Sequence, residues 1–416
     1  MRISTLNLAF TCLLLGMVSS CYQEEIIYYQ YEDGVLNFSM TEEQENRIYN
    51  SRGMGNKVYI DEPLPLMHMG DETLEINQFA TRGQKTLNFR KKSFSVNLDK
   101  IVEWRGNNRV SRLEKFKLMS LVYDYTYIEN NFASKIYGAV GLWPFHTFFT
   151  EVALNGNHQG IYFFVPDPED YCIDVLGANF VLRKDYHNDI RRCKVSSGSV
   201  NSEQYYRAKY DSVYTIIATY SGEELYNQLS KKVDLENYFR KLTIDFLMRN
   251  GDYTDELYFY TTVKNGYEVF SPIPWDCDDI FSDLPHEINR SWAPGPLFGR
   301  RAYNSMDEVR ADVGDRLLFS IEEDLDYIIA KDEFLYSKYL EQMVFVLNVI
   351  SEQRIRDMFD EAYTDVEKYY QSLDLEELSQ YDENSTSIEK LRDNVAEMTQ
   401  LVINQRRTMQ QKIDSL

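Results

Sequence analysis

From about residue 26 to 100, apolar and polar positions alternate along the chain. KVYI at 57–60, LEINQF at 74–79 and SFSVNL at 93–98 carry the two-residue period of half-buried strands. A helix is expected over 126–139. Beyond it, EVALNG and GIYFFV flank the Asn155-Gly156 turn region, and NFVLRK at 179–184 reads as a further strand. After about 203 the period lengthens. VDLENYFRKLTIDFLMRNG places apolar residues at 235, 238, 239, 242 and 246, one face of a helix. Asp234 suits its N-cap, and Asn250-Gly251 suits its stop. From 307 onward nearly every segment has helical spacing. The last segment sets Leu391, Val395, Met398 and Val402 on one stripe, the pattern of core packing. Strands fill the first half and helices the second. This predicts an α+β protein with a sheet-rich N-terminal lobe, a helical C-terminal lobe and a ligand between them.

One segment breaks the rule that acids avoid apolar company. PIPWDCDDIFSD at 272–283 sets Asp276, Asp278, Asp279 and Asp283 among Trp275, Ile280 and Phe281. The residues before it read as a hairpin: LYFYTTVK, an Asn265-Gly266 turn, then YEVFSPIPW. A two-residue loop puts 264 opposite 267, so Asp276 falls opposite Asp255 and Asp279 opposite Asp252. The hairpin therefore gathers Asp252, Asp255, Glu256, Asp276 and Asp278 at its open end, beside a helix terminus. Carboxylates so crowded must take up protons or cations. Oxygen ligands with no His or Cys beside them suit Mg²⁺, Mn²⁺ or Ca²⁺. The plainer alternative is a solvated acidic loop that caps the next helix.

Composition narrows the function further. The chain has 416 residues, 44% hydrophobic and 26% charged, enough for a large globular core. Its formal net charge of −22 excludes a nucleic-acid role, which needs a basic face. Any bound nucleotide should come with divalent cations. No CxxC pair and no HExxH spacing occurs, which removes zinc ribbons and zincins. Cys172 and Cys193 could pair or remain separate thiols. The first 25 residues read as a secretion signal, with an apolar run over roughly 6–18. Val18-Ser19-Ser20-Cys21 resembles a bacterial lipobox, in which the cysteine is lipidated and becomes the new N-terminus; the alternative is an ordinary signal with a chance cysteine. The expected division is a signal over 1–20, a tether with first strands over 21–56, and a main domain over 57–412. The expected location is the bacterial cell envelope, lipid-anchored, with Glu24 and Glu25 pointing toward the outer membrane.

Five segments, in order, resemble the CotH kinase family of spore-coat-type atypical protein kinases. TRGQKTLNFRKKSFSVNL at 81–98 is similar to its RG and KKS element. FKLMSLVYDYTYIENNFASKIY is similar to its helix entry at Leu118, Asp124, Thr126, Asn130 and Ala133. VALNGNHQGIYFFV, RNGD and IPWDCDDIF are similar to its NG hairpin, its N-x-D and its WD-x-D-x-x-F elements. The resemblance implies a two-lobed, kinase-like phosphotransferase that uses ATP with Mg²⁺ or Mn²⁺ on a protein hydroxyl. It implies Asp252 as the catalytic acid-base and Asp276 and Asp278 as metal ligands, with Glu256 as a further candidate ligand. Lys184 is the candidate lysine for the nucleotide phosphates, and the hairpin at Asn155, Gly156 and Gly160 would cover the nucleotide. The chain departs from the pattern at Val165, Glu256, Ser282 and Glu129, so a pseudokinase acting as an envelope binding protein is the alternative. A haloacid-dehalogenase-like phosphatase or a DxD glycosyltransferase would need alternating strands and helices that are missing here.

Overall fold

The computed structural model describes residues 27–30, 34–106, 109–124, 126–251, 257–286, 288, 297–299, 303–372 and 387–415. Its strands form two sheets. The first holds β1 (Ile27–Gln30), β2 (Val35–Ser39), β3 (Tyr59–Ile60), β4 (Leu66–Met69), β5 (Glu72–Arg82), β6 (Ser93–Gly106), β7 (Arg109–Met119), β8 (Phe148–Leu154) and β9 (Asn157–Pro166). The strand order is β1-β6-β7-β9-β8-β2-β4-β5-β3, with β5 also paired to β6. Long β6 makes this closure possible. Its first half pairs with β5 and its second half with β1, across a register shift between Asn97 and Val102. The sheet therefore curls around Phe38, Phe79, Phe94, Trp104, Tyr162 and Phe164. These rings meet at centroid distances such as 5.0 Å for Phe38–Phe79 and 4.5 Å for Trp104–Phe164.

One segment of the expected strand region is helical. Between β2 and β3 lies α1 (Glu42–Asn50). Thr41 and Gln44 cap it reciprocally, side chain to backbone in both directions. That spacing is a capping box, which alternation alone conceals.

After β7 comes α2 (Glu129–Ala139), and after β9 a short α3 (Pro168–Asp174). The second sheet is antiparallel, in the order β11 (Ile190–Val195), β10 (Phe180–Lys184), β12 (Leu257–Lys264), β13 (Tyr267–Pro274). Helices α4 (Glu203–Thr219), α5 (Gly222–Leu229) and α6 (Leu235–Met248) separate β11 from β12 in sequence. The C-terminal part supplies α7 (Met306–Val313), α8 (Asp324–Lys331), α9 (Glu333–Val349), α10 (Glu352–Ser372) and α11 (Ile388–Asp414). The chain is thus a mixed α+β protein, sheet-rich first and helical later. Leu391, Val395 and Val402 are buried on α11, as their stripe predicts. No described helix is long and apolar enough to cross a membrane. Cys172, Cys193 and Cys277 are all free thiols, so the considered Cys172–Cys193 bridge is not formed. The signal and Cys21 lie outside the described residues.

Candidate active site between the two sheets

The hairpin forms in the expected register. Leu257 faces Pro274, and Lys264 faces Tyr267 across the Asn265-Gly266 turn. Its open end is stitched to the end of α6. Asp234 caps that helix at its start, and Arg249 closes it in the left-handed region at φ 55°. Beyond the cap, Gly251 N–H donates to the Asp279 carbonyl (2.9 Å). Phe281 N–H donates to Met248 O (2.8 Å), and Ser282 N–H to Arg249 O (3.0 Å). A Cβ on Gly251 would lie 2.6 Å from Asp279 Oδ2 and 2.7 Å from Ser282 Oγ, so only glycine fits this crossing. Asp279 is thereby held one residue from Asp252. Asp252, Asp255 and Glu256 themselves fall outside the described residues.

Alternation sorts the acidic run. Trp275, Cys277 and Ile280 are buried, while Asp276, Asp278 and Asp279 keep partial solvent access. Asp276 sits at φ 50°, a left-handed conformation that Asp adopts more readily than most side chains. Beneath the run lies a buried polar network. Asp245 pairs with Lys241 (2.7 Å) and accepts from Tyr137 Oη (2.5 Å) and Asn250 Nδ2 (3.3 Å). This ties α2 and α6 to the residue just before Gly251. Burial, then the Asp245 charge, pushes the Cys277 thiol well above its ordinary range, so it stays neutral.

At the entry to α2, Asp124 is fully buried and accepts from Ile128 N–H (3.1 Å) and Asn130 N–H (3.0 Å). Burial pushes the Glu129 carboxyl up to about 10, reinforced by the charges of Asp124, Asp278 and Asp279. A carboxyl so placed takes a proton unless a cation is present. Among the described residues no three acids, histidines or cysteines cluster tightly enough to hold a metal. Asp276 and Asp278 supply an oxygen-only donor set of the kind Mg²⁺ or Mn²⁺ favours.

Opposite the acids stands a cationic wall that sequence reasoning missed. Arg82 ends β5 and Lys117 lies on β7, and both stand over the Trp275 ring, at 5.9 and 5.7 Å. Trp275 meets Tyr258 edge-on at 5.5 Å. Arg183 and Arg192 stand over Tyr258 at 5.9 and 5.6 Å. The wall therefore joins both sheets through two aromatic rings. Lys117 is tied to Asp167 (2.7 Å), the N-cap of α3, and Arg192 to Glu169. Burial opposes ionisation of Asp167, yet the Lys117 ammonium outweighs it and holds the carboxyl well below its usual range. Arg82 differs. Its guanidinium donates to Met119 Sδ (2.7 Å), and no ion pair joins it to a carboxylate among the described residues. Burial depresses its pKa, and the charge of Asp276 works against that. A half-buried cation of this kind is costly alone and favourable beside an anion. Both Arg82 and Lys117 lie within segments quoted above, but nothing in the sequence shows that they meet Arg183 and Arg192.

A family model described as CotH kinase protein matches residues 79–409. The chain belongs to the CotH kinase family. Inner spore coat protein H of Bacillus subtilis (strain 168) is 24% identical to it over 243 residues, 55% of this chain and 65% of that protein. The chain thus spans about two thirds of the length of that curated relative.

The structure places two of the residues drawn from the CotH family pattern away from the cationic wall. Lys184 does not reach the wall. Its ammonium is buried against Glu323 (2.5 Å) and donates to Asp185 O (2.6 Å). Strand alternation accounts for this placement, because neighbouring Arg183 faces Tyr258 and Lys184 takes the opposite side. Lys184→Met is expected to cost about 3–5 kcal/mol in denaturant unfolding, since it strands Glu323 in the interior. ATP affinity of the folded variant is expected to hold; a selective loss of affinity at unchanged stability would restore Lys184 as a phosphate ligand.

The hairpin at Asn155 and Gly156 forms, with Gly160 at φ 80° on β9. Its tip, however, is fastened to the N-terminal segment. Asn155 Oδ1 accepts from Met40 N–H (2.8 Å), Asn155 Nδ2 donates to Glu45 (2.7 Å), and Gly156 N–H donates to Asn37 Oδ1 (3.0 Å). The tip lies about 30 Å along β9 from Val165, the residue paired with Lys117. It braces β2 and α1 rather than covering the wall.

Proposed function

We propose that this protein is an exported, lipid-anchored CotH-family kinase of two-lobed, kinase-like architecture. It transfers the terminal phosphoryl group of a nucleotide such as ATP to a protein hydroxyl and depends on Mg²⁺ or Mn²⁺. One observation supports this reading above the others: Arg82, a half-buried cation with no ion-pair partner among the described residues, stands over Trp275, the residue before Asp276, whose charge favours its ionised form.

In this reading Arg82, Arg183 and Arg192 bind the phosphate oxygens, and Lys117 is held in place by Asp167. Asp276 and Asp278 would hold the divalent ion, which neutralises charge on the phosphates. Asp252, on the residue after Gly251, takes the proton of the acceptor hydroxyl. The acceptor oxygen bonds to the terminal phosphorus while the bond to the bridging oxygen breaks, and the nucleoside diphosphate leaves with that oxygen's electrons. Cys21 would carry the lipid that keeps the protein at the cell envelope, with the outer membrane as the expected site.

Thermal unfolding of the purified protein, with and without Mn²⁺ and ATP, tests the binding half of this proposal. At 100 times the dissociation constant, ATP should add about 2.7 kcal/mol. Transfer of labelled phosphate to the protein itself or to a serine-rich acceptor tests the other half. Binding without transfer would leave the pseudokinase reading, and absence of both would leave a fold without nucleotide chemistry.

A further inference from the structure

Residues 34–78 precede the family-matched segment, yet they complete the same sheet. They also bring one cation to the wall. Tyr59 faces Ala80 in the β3–β5 pair. The next rung is closed by two hydrogen bonds: Val58 N–H donates to Thr81 Oγ1 (2.8 Å), and Thr81 N–H donates to Val58 O (2.9 Å). Continuing this register sets Lys57 opposite Arg82, and opposite residues of an antiparallel pair project to one face.

The loop that delivers Lys57 is internally braced. Ser51 Oγ donates to Asn56 O (3.0 Å), Asn56 Nδ2 to Arg52 O (3.0 Å), and Lys57 N–H to Gly55 O (2.8 Å). Gly53 and Gly55 take φ values of 119° and 80°, which this tight path requires. Lys57 makes no ion pair with a carboxylate among the described residues. The charges that act on it most strongly are of its own sign: Arg82, Arg192, Arg191 and Arg183. Burial, then those four cations, lowers its ammonium pKa. Several cations brought together in a chain of net charge −22, two of them without a carboxylate partner among the described residues, make an arrangement that an anionic ligand stabilises.

We propose that Lys57 is a phosphate-binding residue of this cleft, so that the N-terminal strands outside the family-matched segment form a working part of the nucleotide site. This rests on the reading of the cleft given above. The ligand class is the polyphosphate chain of the donor nucleotide. Lys57 stands at the outer rim, where it contacts phosphate oxygens beyond the reach of Arg82.

Calorimetric titration of the purified protein with ATP and with inorganic tripolyphosphate, each with Mg²⁺, tests the proposal. Lys57→Met is expected to weaken both ligands by about tenfold, the value of one charge-assisted hydrogen bond at a partly exposed position. Lys57→Arg should remain within about twofold of the parent protein, because it keeps the charge. Lys100→Met, a change of equal charge on exposed β6, should leave both affinities unchanged, and unfolding midpoints should match throughout. If the parent binds both ligands and Lys57→Met binds as tightly as Lys100→Met does, the proposal fails and the nucleotide site stands. If ATP weakens while tripolyphosphate does not, Lys57 acts on the nucleoside and the phosphate assignment fails. If the parent binds neither ligand, this proposal and the kinase reading both fall.

Discussion

If the protein is the proposed phosphotransferase, Asp276→Asn will erase the stabilisation expected from Mn²⁺ and ATP, and with it phosphoryl transfer. The substitution keeps size and shape. Asparagine tolerates the left-handed conformation at φ 50°, so the exit from β13 should persist. What disappears is the negative charge that favours the ionised form of Arg82, and with it an oxygen donor that the proposal assigns to the divalent ion. The expected loss is the whole ligand-linked gain of about 2.7 kcal/mol at saturating nucleotide, with transfer down about a hundredfold or more. Thermal unfolding with and without ligand measures the first, and labelled phosphate the second. A variant that still gains stability from Mn²⁺-ATP and still transfers phosphate would remove Asp276 from the site. The phosphotransfer reading would then lose its central group.

Asp245→Ala should give a large loss of stability. The side chain is buried and receives Lys241, Tyr137 and Asn250 together. Truncation removes the carboxylate that the buried Lys241 ammonium meets at 2.7 Å, and a tyrosine hydroxyl and an asparagine amide each lose an acceptor. Breaking one side of a buried pair costs about 3–5 kcal/mol, a large share of a typical folding free energy. Removing both charges at once, in Lys241→Met with Asp245→Leu, should recover much of that loss, because no lone charge is left behind. Chemical denaturation of the two variants decides the matter. A single substitution costing under about 1 kcal/mol would show that water or a neighbour already satisfies Lys241. The network also sets the position of Asn250, and so the approach to Gly251.

Local chemistry accounts for what was legible in the sequence. The β12–β13 register follows from a two-residue Asn-Gly turn, and α6 from its cap, its apolar face and its stop. Convergence of Asp279 with the end of α6 followed from those two elements together. What was not legible has equally local causes. Helix α1 was hidden inside an alternating stretch because Thr41 and Gln44 signal it only through their spacing. Lys184 lies on the face opposite Arg183, and a strand read without its partners does not reveal which face is buried.

What the sequence determined by itself is the order of strands and helices, the hairpin and its acidic exit, and membership of the CotH kinase family. These depend on neighbours a few residues apart, or on motifs in linear order. The cationic wall was decided only by tertiary structure. Arg82, Lys117, Arg183 and Arg192 come from strands of two separate sheets and stand over the Trp275 and Tyr258 rings, while Lys57 comes from the loop before β3. No periodicity links residues so distant in the chain. Their gathering comes from burial of the aromatic rings between the sheets, and their charge gives the acidic chain a place to hold an anion.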